Sequence, residues 1–124
     1  MSLLLDTHVV LWWLTDDPTL ADDVKDRLDR DPDVFVSAVS VWEVAIKQAG
    51  GKLDGPADLP ERVRDSGFTV LPINAEHSIV AGRLPLIHRD PFDRMLLAQT
   101  SSEGLVLATR DPWCQKYEVR TLAV

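Results

Sequence analysis

The sequence predicts an α/β fold with a mainly parallel central sheet of four to five strands and helices on both faces. Three observations carry this prediction. Short apolar runs alternate with longer segments of helical spacing along the whole chain, which is the pattern of strand and crossover helix. Two of the runs, SLLLD and GLVLATRD, lead into an acid at their carboxyl end. The chain has 124 residues, 45% hydrophobic and 27% charged, which suits one domain spanning 1–124 with a real core.

In chain order, SLLLD at 2–6 is the first strand, and THVVLWWL follows as a helix with Asp6 near its cap. ADDVKDRLDR at 21–30 spaces Val24 and Leu28 four apart among charges, a helix with one apolar edge. DVFVS at 33–37 is the second strand and enters the helix AVSVWEVAIKQAGG, which Gly50 and Gly51 stop. GKLDGPADLP is turn-rich, and Pro60 starts a short helix through Asp65. GFTVLPI at 67–73 is a third strand, followed by a helix at 75–84. HRDPFDRMLLAQ at 88–99 opens a helix capped by Asp90 with Pro91 at its first position. GLVLATRD at 104–111 is the fourth strand and EVRTLAV the fifth. There is no repeat, low-complexity tract or interdomain linker. Ligands of parallel sheets bind outside the carboxyl ends of the strands, so function is expected beside Asp6 and Asp111.

Thirteen Lys and Arg against twenty Asp and Glu give a net charge of −7, which opposes nonspecific binding to nucleic acid or an anionic membrane. The excess is local. Residues 16–33 hold eight aspartates against Lys25, Arg27 and Arg30, the composition of a solvated helix face. The single Cys114 excludes an internal disulfide and a Cys-based zinc cluster, fits a reducing cytoplasm, and is not expected to be a catalytic thiol. No signal-like n-region or membrane-length apolar run is present, so the expected location is the cytoplasm. Met1-Ser2-Leu3 is compatible with a cloning scar as well as with a native start.

Each acid has a plain structural explanation when taken alone. Asp6 and Asp111 read as helix caps, the latter before Pro112. Glu43 has Lys47 four residues on, a surface pair worth roughly a few tenths of a kcal/mol. Yet Val39, Trp42 and Ile46 flank Glu43 at helical spacing, which sets its carboxylate beside an apolar stripe. Asp93 begins the turn that continues into Leu96 and Leu97, although Asp90 already supplies the cap. Burying ionised carboxylates together costs on the order of several kcal/mol unless a cation is shared. No Lys or His is an evident neutralising partner for all four, and His8, His77 and His88 are scattered enough to read as satisfied or solvent-facing. Oxygen donors alone suit a hard divalent ion, Mg²⁺ or Mn²⁺.

Four segments in order, LLLDTHVVLWWL, SAVSVWEVAIK, DPFDRMLLAQ and LVLATRD, resemble the acidic motifs of PIN-domain ribonucleases, and most of all the VapC toxins of bacterial toxin–antitoxin pairs. The resemblance covers residues 3 to 122. It implies a PIN-like three-layer sandwich and a site of Asp6, Glu43, Asp93 and Asp111, with Asp6 and Asp93 as the main Mg²⁺ anchors. Thr109 supports the last acid, and Asp90 stays mainly a helix cap at the outer edge of the site. The implied reaction is hydrolysis of RNA, leaving a 3′-hydroxyl and a 5′-phosphate; whether one ion or two operate stays open, and DNA is the weaker substrate reading. The implied partners are a second copy, as a homodimer, and a VapB-like antitoxin seated on the helices at 7–15 and 21–30.

Arg89, Arg94 and Arg110 flank the acids and are candidates for holding RNA phosphates, with surface solvation as the plain alternative. Trp42 is expected in the core. Trp12 and Trp13 face about 100° apart on a helix, so one of them is expected to be exposed at an interface. Two rival readings stand beside this one. A haloacid-dehalogenase-like phosphatase would use Asp6 as nucleophile, but its second aspartate is His8 here. A catalytically silent PIN-like module would bind RNA or protein, but all four acids are present.

Overall fold

Strands β1 (Leu3–Leu5), β2 (Val34–Ser37), β3 (Thr69–Leu71), β4 (Val106–Thr109) and β5 (Thr121–Ala123) form one sheet in the order β3-β2-β1-β4-β5. Every neighbouring pair is parallel. These come from a computed structural model that describes residues 2–124. Met1, grouped above with Ser2 and Leu3 as a scar or native start, lies outside the described residues.

Among the described residues six helices cover the sheet: α1 (Thr7–Leu14), α2 (Asp22–Arg30), α3 (Ala38–Ala49), α4 (Leu59–Asp65), α5 (Ala75–Arg83) and α6 (Pro91–Glu103). A 3-10 turn, Cys114–Lys116, precedes β5. The alternation along β1 places the layers. Leu3 and Leu5 pack on one face with Val9, Val10, Leu28 and Val63 from α1, α2 and α4, while Leu4 packs on the other with Leu96 and Leu97 of α6. Both faces are dry, so the strands read as continuous apolar runs. Gly104 ends α6 at φ 65, a left-handed position that glycine fills without a Cβ penalty, and β4 therefore starts at Val106.

Trp42 corrects the sequence reading. Val39, Ser40, Glu43 and Val44 are the buried residues of α3. At 100° per residue they span one arc, and Trp42 and Ile46 fall outside it, 60% and 45% exposed. Glu43 is buried because it lies inside that arc, between Val39 and Ser40, not because Trp42 and Ile46 cover it. The Trp12 and Trp13 expectation fails more mildly, since both are half-buried. Trp13 stacks against Phe68 at 5.4 Å and donates its ring N–H to Ser66. Among the described residues, no helix is long and apolar enough to cross a membrane.

Candidate active site

In a parallel sheet each helix runs back against its strands, so helix N-termini and strand carboxyl ends share one edge. β1 lies between β2 and β4, where the chain's path over the sheet reverses, and such a switch point opens a crevice at that edge. Asp6 follows β1 and caps α1 by accepting the His8 backbone N–H at 3.0 Å. Asp93 stands in the first turn of α6, whose cap is Asp90, accepting from the N–H groups of Phe92 and Asp93. Asp111 follows β4 and accepts the Trp113 N–H at 2.9 Å.

A cleft of about 320 Å³ is lined by Asp6, Asp93 and Asp111, with His8, Trp12 and Arg110 at its rim. Thr109 ties two of the acids together: its hydroxyl donates to Asp6 Oδ2 at 2.8 Å and accepts the Asp111 N–H at 3.0 Å. The structure thus brings three of the four predicted acids around one cleft. Glu43 does not line it. It lies close enough to Asp93 to influence its charge, and Lys47 donates to its Oε2 at 2.8 Å.

The acids differ in how their charge is balanced. Burial pushes Asp6 up, but hydrogen bonds from the His8 side chain, the Thr109 hydroxyl and the His8 N–H outweigh it and hold the carboxyl below its ordinary range. The same contact with Asp6 raises His8, and Glu43 raises Lys47. Asp93 is pushed up to about 7 by burial and by the charges of Asp90 and Asp6, against which His88 is too little. Glu43 Oε1 is buried with no hydrogen-bond partner among the described residues. An all-oxygen donor set with one unbalanced carboxylate and one orphaned oxygen fits a hard divalent cation.

His88 is the residue that sequence reasoning missed. Its Nε2 lies 2.9 Å from Asp93 Oδ2 and 3.0 Å from Asp111 Oδ2, so it is satisfied by two of the four acids, a partner for part of the set that the sequence spacing does not show. The Asp90 N–H donates to its Nδ1 at 3.3 Å, which places the imidazole proton on Nε2, where it hydrogen-bonds Asp111 and lies close beside Asp93. The local signal was its position two residues before the capping aspartate. His77, by contrast, is satisfied as expected, within a capping box with Asn74 and against Glu103 at 2.8 Å.

The arginine candidates divide. Arg94 is buried and its guanidinium donates to the carbonyls of Ala81, Gly82, Leu84, Pro85 and His88. It therefore closes the α5–α6 loop, with both Nη groups committed to backbone carbonyls. Arg110 stacks 4.8 Å from the Trp12 ring centroid and donates to the carbonyls of Thr19 and Val124 at the cleft rim. Arg89 is exposed.

The sequence profile of the PIN domain matches residues 3–118. Ribonuclease VapC22 of Mycobacterium tuberculosis is 28% identical over 120 residues, covering 89% of this chain and 87% of that protein. DNA-bound VapBC from Salmonella typhimurium superposes with a TM-score of 0.74 at 18% identity, covering 98% of this chain and 97% of the other. VapBC2 from Rickettsia felis, bound to a promoter DNA fragment, superposes at 0.73 and 12% identity, covering 98% of each chain. At these identities the structural likeness shows the fold.

Proposed function

The chain belongs to the PIN domain family, and from that premise we propose that it is a divalent-metal-dependent endoribonuclease of the VapC kind, the toxin of a toxin–antitoxin pair. The observation that carries the reading is Asp93, a largely buried carboxyl pushed up to about 7 among like charges at a cleft shared with Asp6 and Asp111. Such repulsion is unfavourable in a fold unless a cation is its purpose. Family membership also removes the phosphatase alternative, whose second acid would stand at His8.

Asp6 and Asp93 would anchor Mg²⁺ or Mn²⁺, with Asp111 and Glu43 completing the site. When bound, the ion stabilises the charge that develops on the phosphoryl oxygens and makes a water nucleophilic at neutral pH. The chain's own groups prepare that chemistry. Asp6 is kept ionised by His8 and Thr109. His88 orients Asp111 through its Nε2 hydrogen bond and lies 2.9 Å from Asp93 Oδ2. Arg110 and Trp12 stand at the rim, where a guanidinium and a ring face can hold a phosphate and a base. In the reaction a water oxygen bonds to phosphorus and the P–O3′ bond breaks, giving a 5′-phosphate and a 3′-hydroxyl.

The antitoxin would seat on the surface of α1 and α2. A cleft of about 530 Å³ there is lined by Trp13, Leu14, Lys25, Asp29 and Arg62, which offers apolar and charged contacts side by side. The exposed Trp42 and Ile46 of α3 give a homodimer an apolar face. The cytoplasm is the proposed location. Purified protein incubated with RNA panels, with and without Mg²⁺ or Mn²⁺, tests the reading beside Asp6→Asn and Asp93→Asn. Metal-dependent cleavage lost in both variants supports it, and unchanged cleavage in either removes the metal assignment.

A further inference from the structure

We infer a second, overlapping metal site for a thiophilic divalent ion such as Zn²⁺, made by His88, Asp93 and Cys114 with Asp111 as fourth donor. His88 nitrogen, an Asp93 oxygen and the Cys114 sulfur all lie within 4.8 Å of one another. His88 Nε2 is 2.9 Å from Asp93 Oδ2 and 3.0 Å from Asp111 Oδ2. A tetrahedral zinc site with bonds of roughly 2.0–2.3 Å separates its donors by about 3.3–3.8 Å, a spacing the three clustered donors reach by small side-chain adjustments, with Asp111 adjoining through His88. One nitrogen, one sulfur and two oxygens make a set that a borderline-soft ion prefers and Mg²⁺ does not.

The sulfur is held in place by the fold. Cys114 is fully buried at the start of the 3-10 turn, three residues after Asp111, and its sulfur lies against the donor atoms of His88 and Asp93. It packs in the same cluster as Leu97 and Leu107, so a buried cysteine points out of the apolar core toward acids. The single cysteine rules out a Cys-based cluster, as the sequence indicated, and leaves room for a mixed one.

Without a metal, the His88 Nε2 proton is hydrogen-bonded to Asp111, with Asp93 close beside it. Zinc takes that proton's place, the imidazole stays neutral by carrying its proton on Nδ1, and the 3.3 Å contact from the Asp90 N–H is lost. That contact is already longer than a strong hydrogen bond. The Cys114 thiol binds as thiolate and releases its proton to solvent. Because Asp93 and Asp111 serve both sites, zinc and the hard ion exclude one another. Zinc is therefore an inhibitor of the cleft, a consequence that rests on the nuclease reading, whereas the binding site itself does not.

Co²⁺, a spectroscopic substitute for Zn²⁺, tests the site on the full chain stripped of metal. The expected result is one equivalent of Co²⁺ giving intense tetrahedral bands and a thiolate-to-cobalt charge-transfer band, both bleached by one equivalent of Zn²⁺. Cys114→Ser should lose the charge-transfer band and weaken Zn²⁺ binding by more than the roughly 10- to 100-fold typical of outer-shell changes, while keeping Mg²⁺-dependent cleavage. His88→Gln, which keeps the cysteine, should lose the tetrahedral intensity even if Cys114→Ser fails to fold. A weak octahedral spectrum without a sulfur band in the parent protein, or equal Zn²⁺ affinity in a folded Cys114→Ser, overturns the site. Absence of any RNA cleavage with Mg²⁺ sinks the nuclease reading and leaves these spectra as they are.

Discussion

Asp93 and Arg94 are consecutive residues in the first turn of α6, both charged and both largely withdrawn from water, yet the fold treats them in opposite ways. Around Arg94 the carbonyls of five residues converge on the guanidinium, so its charge is spread over acceptors that themselves need a donor. Around Asp93 stand three further acids, Asp90, Asp6 and Glu43, and one imidazole, and the carboxyl is pushed up to about 7. The difference teaches that burial of a charge does not by itself indicate function. Arg94 is buried as structure, because its partners satisfy it. Asp93 is left among like charges with one imidazole against them, the kind of perturbed group that clusters at functional sites. The two are linked, since the loop that Arg94 closes carries His88 to Asp93.

Breaking the Asp93 side should give the largest effect. Asp93→Asn is expected to lower RNA cleavage by about 10²- to 10³-fold, the scale of removing one preorganised electrostatic group, with no loss of stability in the absence of metal. Cleavage assays paired with urea unfolding check both halves. Breaking the Arg94 side should do the reverse. Arg94→Ala strips several buried carbonyls of their donor and is expected to cost about 3 kcal/mol or more of unfolding free energy, read as a fall in the urea midpoint.

The pH dependence sharpens the contrast. For an acid whose folded value is raised, the unfolded chain ionises first, near pH 4. The metal-free fold is then penalised progressively as pH rises from about 4, and the penalty is complete above about 7. Within that window Asp93 contributes a loss of at most about 1.4 kcal/mol per pH unit. Denaturation curves from pH 5 to 8 should show stability falling in the parent and a flatter profile in Asp93→Asn. The smallest effect belongs to Thr109→Val, which removes the donor to Asp6. It is expected to cost about 1 kcal/mol, to raise the Asp6 carboxyl toward its ordinary value, and to weaken Mn²⁺ binding severalfold by titration calorimetry.

The layers were legible because short apolar runs buried on both faces, such as Leu3–Leu5 and Val106–Thr109, have few alternatives to parallel strands. Asp6, Asp93 and Asp111 were legible because topology alone sends strand ends and helix starts to one edge. Their neutralising surroundings were not. Residues 84–90 have no periodicity to read, so neither the fold of that loop over Arg94 nor the approach of His88 to two acids could be seen in the residues. Trp42 differs for another reason: hydrophobicity at helical spacing does not fix burial, and the buried arc of α3 ends at Val39. Glu43 is interior beside Val39, as its spacing indicates, while the other two flanking residues, Trp42 and Ile46, face outward.

The central claim is that Asp6 and Asp93 are held together against their repulsion in order to share a hard cation. Thermal unfolding of the metal-stripped protein with increasing Mn²⁺ at a pH above 7 tests it without RNA. The account predicts a saturable rise in stability, about 2.7 kcal/mol at a hundredfold excess over the dissociation constant, that is abolished in both Asp6→Asn and Asp93→Asn. Equal stabilisation of the parent and the two variants by Mn²⁺ would contradict it.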